Sequence, residues 1–228
     1  MILAVHQPQF LPWQGYMMKM DAAHVFCFLD SVQFKKNEWQ NRNRIRTAEG
    51  WQWLTVPVLH RFGQRIGEVR INPAEPWQKK HLRALEIHCG RTPYFRWVMD
   101  ILEPVYGRSW ESLAHLNRTL AEALARALGM ECRFFASSET DLPGEPTGRL
   151  VELCRQTGAD TYLAGAGGAG YMDLAQFEAA GIRVVFQDFR QPGYPQAYPG
   201  FVPGLSMVDL LFSQGENSLK LLRETNPE

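Results

Sequence analysis

Two side chains have the type and placement to move a proton or orient a reacting group: His6 and Asp30. His6 opens the run His6-Gln7-Pro8-Gln9-Phe10-Leu11-Pro12-Trp13 directly behind a short apolar stretch. An imidazole titrates near neutrality when unperturbed, which suits proton transfer or contact with a phosphate. Asp30 closes a second apolar run, and a carboxylate there can bind a ribose, sugar hydroxyls, an amine or a divalent cation.

Around these two lie groups suited to holding a substrate. Gln7 and Gln9 flank Pro8, and Gln33, Trp39, Asn41, Arg42 and Asn43 follow Asp30. Amides beside a guanidinium supply donors for a phosphate or pyrophosphate, and the indole can stack on a base or sugar. The run Gly165-Ala166-Gly167-Gly168-Ala169-Gly170-Tyr171 lets backbone N–H groups approach a ligand closely. It lacks the Gly-Lys-Ser/Thr of a Walker loop and the usual dinucleotide-loop spacing. Gln187, Asp188 and Tyr194 add a further polar group, with Gln187 and Asp188 at the end of an expected strand. Ser206 is expected to cap the last long helix, with Asp209 in the acidic position of a capping box.

The elements that must position these residues alternate between strand and helix. Ile2–Val5 and His24–Leu29 are predicted strands around a helix over Trp13–Ala23, a spacing that fits a parallel βαβ unit. The His6 loop then faces the carboxyl edge of the sheet, the usual ligand crevice of an open α/β fold. Ser31–Gly50 reads as a basic, amide-rich segment, followed by strands over Trp51–Val58 and Ile66–Ile71. Helices are predicted over Trp77–His88, from Thr92 through Tyr106, and over Trp110–Leu128 with Ser109 as cap. After a strand at Arg133–Ala136 and a linker-like stretch containing Pro143, the alternation resumes. It gives a helix over Arg149–Gln156, a strand over Thr161–Ala164, a helix over Met172–Ala180 and a strand over Val184–Asp188. The expected fold is a single α/β domain over residues 1–228: an open, mostly parallel Rossmann-like sheet with a largely helical insertion at about 76–130.

Composition narrows the function classes. The 228 residues are 45% hydrophobic and 21% charged, which places the chain among folded globular proteins. Twenty-four Lys and Arg balance 24 Asp and Glu, so any attraction for an anion must be local. Four widely spaced cysteines, no signal-peptide pattern and no apolar run near the ~20 residues of a membrane span predict a cytoplasmic protein with reduced thiols and no membrane partner. The histidines show no zinc-ligand spacing, so no metal site is expected. Without a Gly-x-Ser-x-Gly elbow or a cysteine flanked by histidine, a covalent acyl-enzyme is disfavoured.

In combination, several runs resemble the WbqC-like protein family: Val5-His6-Gln7-Pro8-Gln9-Phe10-Leu11-Pro12-Trp13, Leu29-Asp30-Ser31-Val32-Gln33-Phe34, Trp39-Gln40-Asn41-Arg42-Asn43, Leu54-Thr55-Val56-Pro57-Val58, Tyr162-Leu163-Ala164-Gly165-Ala166-Gly167-Gly168 and Leu205-Ser206-Met207-Val208-Asp209-Leu210-Leu211-Phe212. The resemblance implies a bacterial protein of surface-polysaccharide (O-antigen) or specialised-metabolite biosynthesis. A looser similarity links the His6 loop to nucleotidylyltransferases and class I aminoacyl-tRNA synthetases. It departs from their pattern because Gly15 is followed by Tyr16 rather than a second histidine.

The expectation is a transferase that adds an acyl or aminoacyl group to the amine of a nucleotide-linked sugar, with His6 and Asp30 as acid/base or orienting groups. Arg42 and the Gly165–Gly170 loop would hold phosphate. The alternatives are nucleotidyl transfer and a non-catalytic binding or scaffold protein of the same pathway. No tightly bound cofactor is expected. The partner would be a small molecule, with charged tRNA or a carrier protein as a further donor source and a homodimer as the base-rate assembly.

Overall fold

The computed structural model describes residues 1–142, 144–170 and 172–227; Pro143 of the linker-like stretch and Tyr171 of the glycine-rich run lie outside the described residues. Five strands form an all-parallel sheet: β1 (Ile2–His6), β2 (Val25–Phe28), β7 (Arg133–Ala136), β8 (Thr161–Ala164) and β9 (Arg183–Phe186). Their spatial order is β7-β2-β1-β8-β9. The chain builds outward from β1 to β7, returns across the sheet, and builds outward again from β8. The order therefore reverses between β1 and β8, as in a Rossmann-like sheet, and a crevice opens at such a point.

Period-2 burial explains the layering. Ala4, Phe26, Phe28 and Leu163 point into one core, where they meet Tyr16, Met17 and Met20 of α1 (Gln14–Asp21) and Leu116, Leu120 and Leu124 of α4 (Leu113–Ala127). The alternate residues Leu3, Val5, Val25, Cys27 and Tyr162 point into a second core against α5 (Pro146–Thr157) and α6 (Leu174–Ala179). Helices α2 (Trp77–Cys89) and α3 (Phe95–Tyr106) precede α4 and extend the first core. α7 (Met207–Gln214) and α8 (Ser218–Thr225) close the same side. Among the described residues no helix is long and apolar enough to cross a membrane.

Between β2 and α2 the chain differs from the expectation. Arg42–Thr47 is a strand, β3, paired antiparallel with β4 (Gly50–Thr55). Its alternation was concealed because one face carries Arg42, Arg44 and Arg46. Arg42 stacks on Trp53 at 4.0 Å and Arg44 on Trp51 at 5.0 Å. Guanidinium groups on indole faces do the work that aliphatic side chains do elsewhere. Ile66–Glu68 is a 3₁₀ turn rather than strand, and only Arg70–Ile71 (β6) pairs, with β5 (Val58–Leu59). Gly67 sits there so close to Asp30 that an added Cβ would lie 3.0 Å from its carboxylate. The cap of α4 is Ser112, not Ser109; its hydroxyl accepts the His115 N–H.

The β1–α1 loop is buried, so its peptide groups need partners. Asn43 Nδ2 donates to the Leu11 carbonyl at 2.7 Å and the Phe10 carbonyl at 3.3 Å. Asn117 donates to the Pro8 carbonyl, Ser206 Oγ to the Leu11 carbonyl at 2.7 Å, and the Met207 N–H to the Pro12 carbonyl. Leu11 itself is held at φ 42°, a left-handed conformation costly for a non-glycine residue. Replacing Asn43 with Leu removes the Phe10 carbonyl's side-chain donor and leaves the Leu11 carbonyl with Ser206 alone. The expected loss is about 2–4 kcal/mol, read as a lower urea midpoint at unchanged m-value; an unmoved midpoint would refute the clamp.

Candidate functional site at the strand-order reversal

Pairing of β1 with β8 ends at Ala4 and Leu163, whereas β1 and β2 stay paired as far as His6. The His6 carbonyl turns toward β2, where it accepts the Leu29 N–H. By alternation the Val5 carbonyl turns toward β8, past the end of that ladder. Lys19 replaces the missing partner: its Nζ donates to the Val5 carbonyl at 2.9 Å. Lys19 is 2% exposed, and no carboxylate pairs with it among the described ion pairs. Burial lowers its pKa to about 8, so at neutral pH it is still mostly a cation, one with donors to spare.

Lys19 lines a crevice of about 540 Å³ together with His6, Gln7, Arg149, Gly165, Gly167 and Gly168, between apolar walls that include Val5, Leu29, Val32, Leu150 and Tyr162. The imidazole of His6 packs edge-on against Tyr16 at 4.7 Å. Its Nδ1 lies 3.1 Å from the Gln7 carbonyl, and a carbonyl only accepts, so Nδ1 carries the proton and Nε2 is the acceptor. Burial, reinforced by the Lys19 charge, pushes the pKa down to about 3. Gly165 and Gly167 have open space where a Cβ would stand. Gly168 is packed tightly against Met172, Ala164 and Phe186. The 3₁₀ turn Ala166–Gly170 begins here, and the first N–H groups of any helical turn lack internal acceptors.

Asp30 belongs to a neighbouring crevice. Its carboxylate accepts from Ser137 Oγ at 3.0 Å, the Ser138 N–H at 2.9 Å and Ser138 Oγ at 2.7 Å. It holds the β7 end against the β2 end. Gln7 is tied to Gln40 at 2.6 Å. Gln9 is buried with Oε1 lacking a partner.

The other polar candidates are taken up by internal structure. Asn41 joins the Val56 carbonyl to the Asn37 N–H, Asn43 clamps the loop, Arg42 stacks on Trp53, and Trp39 lies 5.6 Å from Trp53. Gln33 is exposed and bridges to Arg65. Gln187 donates to the Gly15 carbonyl, and Asp188 is exposed beside Arg190 at 3.6 Å. Tyr194 is buried, donating to Asp209 at 2.8 Å and accepting from Gln14 at 2.9 Å. Asp209 thus serves Tyr194 and Gln196 rather than a capping box, and burial raises its pKa to about 6. A larger hollow of about 740 Å³, lined by Arg91, Tyr198 and Gln214 among others, holds none of the candidates. Among the described residues no group of three or more His, Cys, Asp or Glu side chains is arranged to hold a metal ion.

Lys19 and Arg149 were not singled out from sequence. Lys19 follows three hydrophobic residues in a helix and carries no local mark of burial; Arg149 sits in the first turns of α5. The one available signal was position, since both elements abut the strand ends where an α/β sheet places its ligand.

The model of the WbqC-like protein family matches residues 7–221, which takes in the His6 loop's amides, the Asn41–Asn43 clamp and the glycine-rich turn. The chain belongs to the WbqC-like protein family. A relative is the uncharacterized protein Rv1507c of Mycobacterium tuberculosis (strain H37Rv), 36% identical over 225 residues that cover 97% of each chain. No solved structure matches. For this WbqC-like protein, the match extends over both halves of the sheet and the helices between them.

A folded-state pKa below the unfolded value of 6.5 means that stability from keeping His6 neutral is present above pH 6.5 and is lost as pH falls toward 3. The imidazole should therefore stay neutral in NMR titrations down to about pH 4, and His6→Gln should lessen the loss of stability between pH 6.5 and 4. A His6 resonance titrating near 6.5 would contradict the buried, Lys19-facing environment.

Proposed function

We propose that the crevice at the strand-order reversal binds a phosphate-bearing small molecule, and that the protein transfers an acyl or aminoacyl group to the amine of a nucleotide-linked sugar. The observation that carries this is Lys19, a buried ammonium with no carboxylate partner among the described residues, beside a glycine-rich turn. A buried unpaired charge is costly unless a ligand of opposite sign repays it. A phosphate seated between Lys19, Arg149 and the N–H groups of the Ala166–Gly170 turn would do so. The apolar walls suit the base or the carbon frame of the same ligand.

His6 fits the acceptor chemistry. An amine nitrogen attacks the carbonyl carbon of an activated donor, sheds one proton to His6 Nε2, and the leaving group departs with the electron pair of the broken bond. A resting pKa near 3 is too low for an efficient base, but part of that depression comes from Lys19. An anion that neutralises Lys19 removes that lesser part of the depression and raises the basicity of His6 as it binds, while the larger part, which comes from burial, remains. Orientation and oxyanion stabilisation supply the remaining rate without a covalent enzyme intermediate. Asp30 acts here as a positioning residue for the Ser137–Ser138 turn. The low basicity of His6 also supports a second reading, a carrier that binds the same phosphate compound without turnover. The family resemblance to surface-polysaccharide and specialised-metabolite pathways supports either one.

Thermal-shift measurements with UDP, ADP, CDP and the matching amino-sugar nucleotides test the proposal. At a hundredfold excess over Kd the stabilisation is about 2.7 kcal/mol, which for a chain of this size raises Tm by roughly 5–10 °C. Lys19→Met should abolish the shift while changing intrinsic stability by no more than about 2 kcal/mol, because the lost hydrogen bond is offset by the removed charge. Binding to the wild type should weaken above pH 8 as Lys19 loses its proton. Equal shifts in wild type and Lys19→Met, or none in either, would overturn the assignment. Binding that His6→Ala leaves intact, with product formed only by the wild type, separates the transferase from the carrier.

A further inference from the structure

A second crevice of about 460 Å³ opens beside the first, at the carboxyl ends of β2 and β7. The segment between β2 and Phe34 divides them: Leu29 and Val32 face the first, Asp30 and Ser31 the second, and Arg149 lines both. The two differ in chemistry. The first has one buried cation and apolar walls. The second is lined by hydroxyls, by the cations Arg65 and Arg149, by the carboxylates Asp30, Glu68 and Asp141 and by His115, with Ala114 and Leu142 as its apolar contribution.

The hydrogen bonds show how two of the hydroxyls, Ser138 and Thr140, are turned. Ser138 Oγ spends its hydrogen on Asp30 at 2.7 Å, and Thr140 Oγ1 spends its own on the Ser137 carbonyl at 3.0 Å. Each therefore presents only lone pairs to the crevice. Those lone pairs and the Asp141 and Glu68 carboxylates make a set of acceptors, which an ammonium group satisfies. Arg149, whose guanidinium already donates to the Gly144 carbonyl at 3.1 Å, and Arg65 carry several N–H groups each and make a set of donors suited to a carboxylate or phosphate. Asp30 accepts three hydrogen bonds from the Ser137–Ser138 turn and so holds Ser138 in place at the edge of this crevice.

We infer that the second crevice binds an α-amino acid moiety, its ammonium toward Ser138, Thr140 and Asp141, its carboxyl end toward Arg149 and a small apolar side chain against Ala114 and Leu142. Its role as the aminoacyl donor subsite rests on the transferase reading above; the binding itself does not. Arg149 then stands where the activated carboxyl end of the donor meets the phosphate-holding crevice, and the donor's carbonyl carbon faces the amine held near His6.

The proteinogenic amino acids, added singly at millimolar concentration to the ¹⁵N-labelled full chain, test the inference, with ethylamine and propionate as half-ligand controls. At least one amino acid should shift the amide resonances of Ser138, Thr140 and Arg149, in Lys19→Met as well as in wild type, while neither half-ligand does so at the same concentration. Thr140→Val and Asp141→Asn, each checked for native spectral dispersion, should weaken that binding about tenfold and leave the UDP response unchanged. If no amino acid shifts those resonances, or if ethylamine or propionate does so equally well, the subsite is overturned. Amino-acid shifts without any UDP response would uphold the subsite and sink the phosphate crevice instead.

Discussion

The structure depends on the need to satisfy peptide groups that are buried where the sheet stops. At the carboxyl edge β1 continues past its pairing with β8, and the loop that follows dives into the core instead of running over the surface. Every carbonyl there must find a donor that regular secondary structure does not supply. Lys19 serves the Val5 carbonyl, Asn43 serves Phe10 and Leu11, Asn117 serves Pro8, and Ser206 serves Leu11 a second time. The same demand that seals the loop leaves one ammonium group at the rim of a crevice. Packing and reactivity therefore arise from a single requirement at this edge.

That origin also explains why side chains with active-site chemistry are divided between two tasks. The amides of Gln40, Asn41 and Asn43 and the stacked guanidinium of Arg42 hold the β1–α1 loop and the β3–β4 hairpin in shape. His6, Lys19 and the glycine-rich turn line the crevice itself. Asp30 lies between the tasks, fixed by three donors yet fixing the hydroxyl turn that borders the second crevice. A preorganised site needs such support, because loosely held polar groups would spend binding energy on being ordered.

Much of the fold was legible in the residue pattern. The strands at Thr161–Ala164 and Arg133–Ala136 fall where short β-rich runs between turn residues placed them, and the parallel β1–β2 unit follows from the length of its crossover. β3 was illegible because its alternation is written in arginines, which read as a solvated segment until the facing tryptophans are known. The site was legible in location more than in membership. A run of amides looks the same whether it meets a ligand or a distant carbonyl, and only the fold shows that Asn43 reaches Leu11. Lys19 gave the opposite difficulty, since a lysine near a helix end is ordinarily solvated, and nothing local discloses that this one fills the gap left by a strand pair that ends early.

The clamp on the loop also has a temporal side. Leu11, in its left-handed conformation, is tied by Ser206 across 195 residues of chain, and Pro12 by Met207 beside it. Contacts of such separation form late, after the loop-closure entropy has been met by other parts of the core. As the chain emerges from a ribosome, β1, α1 and β2 can assemble early, but the rim of the crevice stays incomplete until Ser206 and Met207 are available. A nascent or C-terminally truncated chain would thus hold the sheet edge open, with Phe10 and Leu11 uncovered. Competence of the crevice is in this way a report that synthesis has passed Met207.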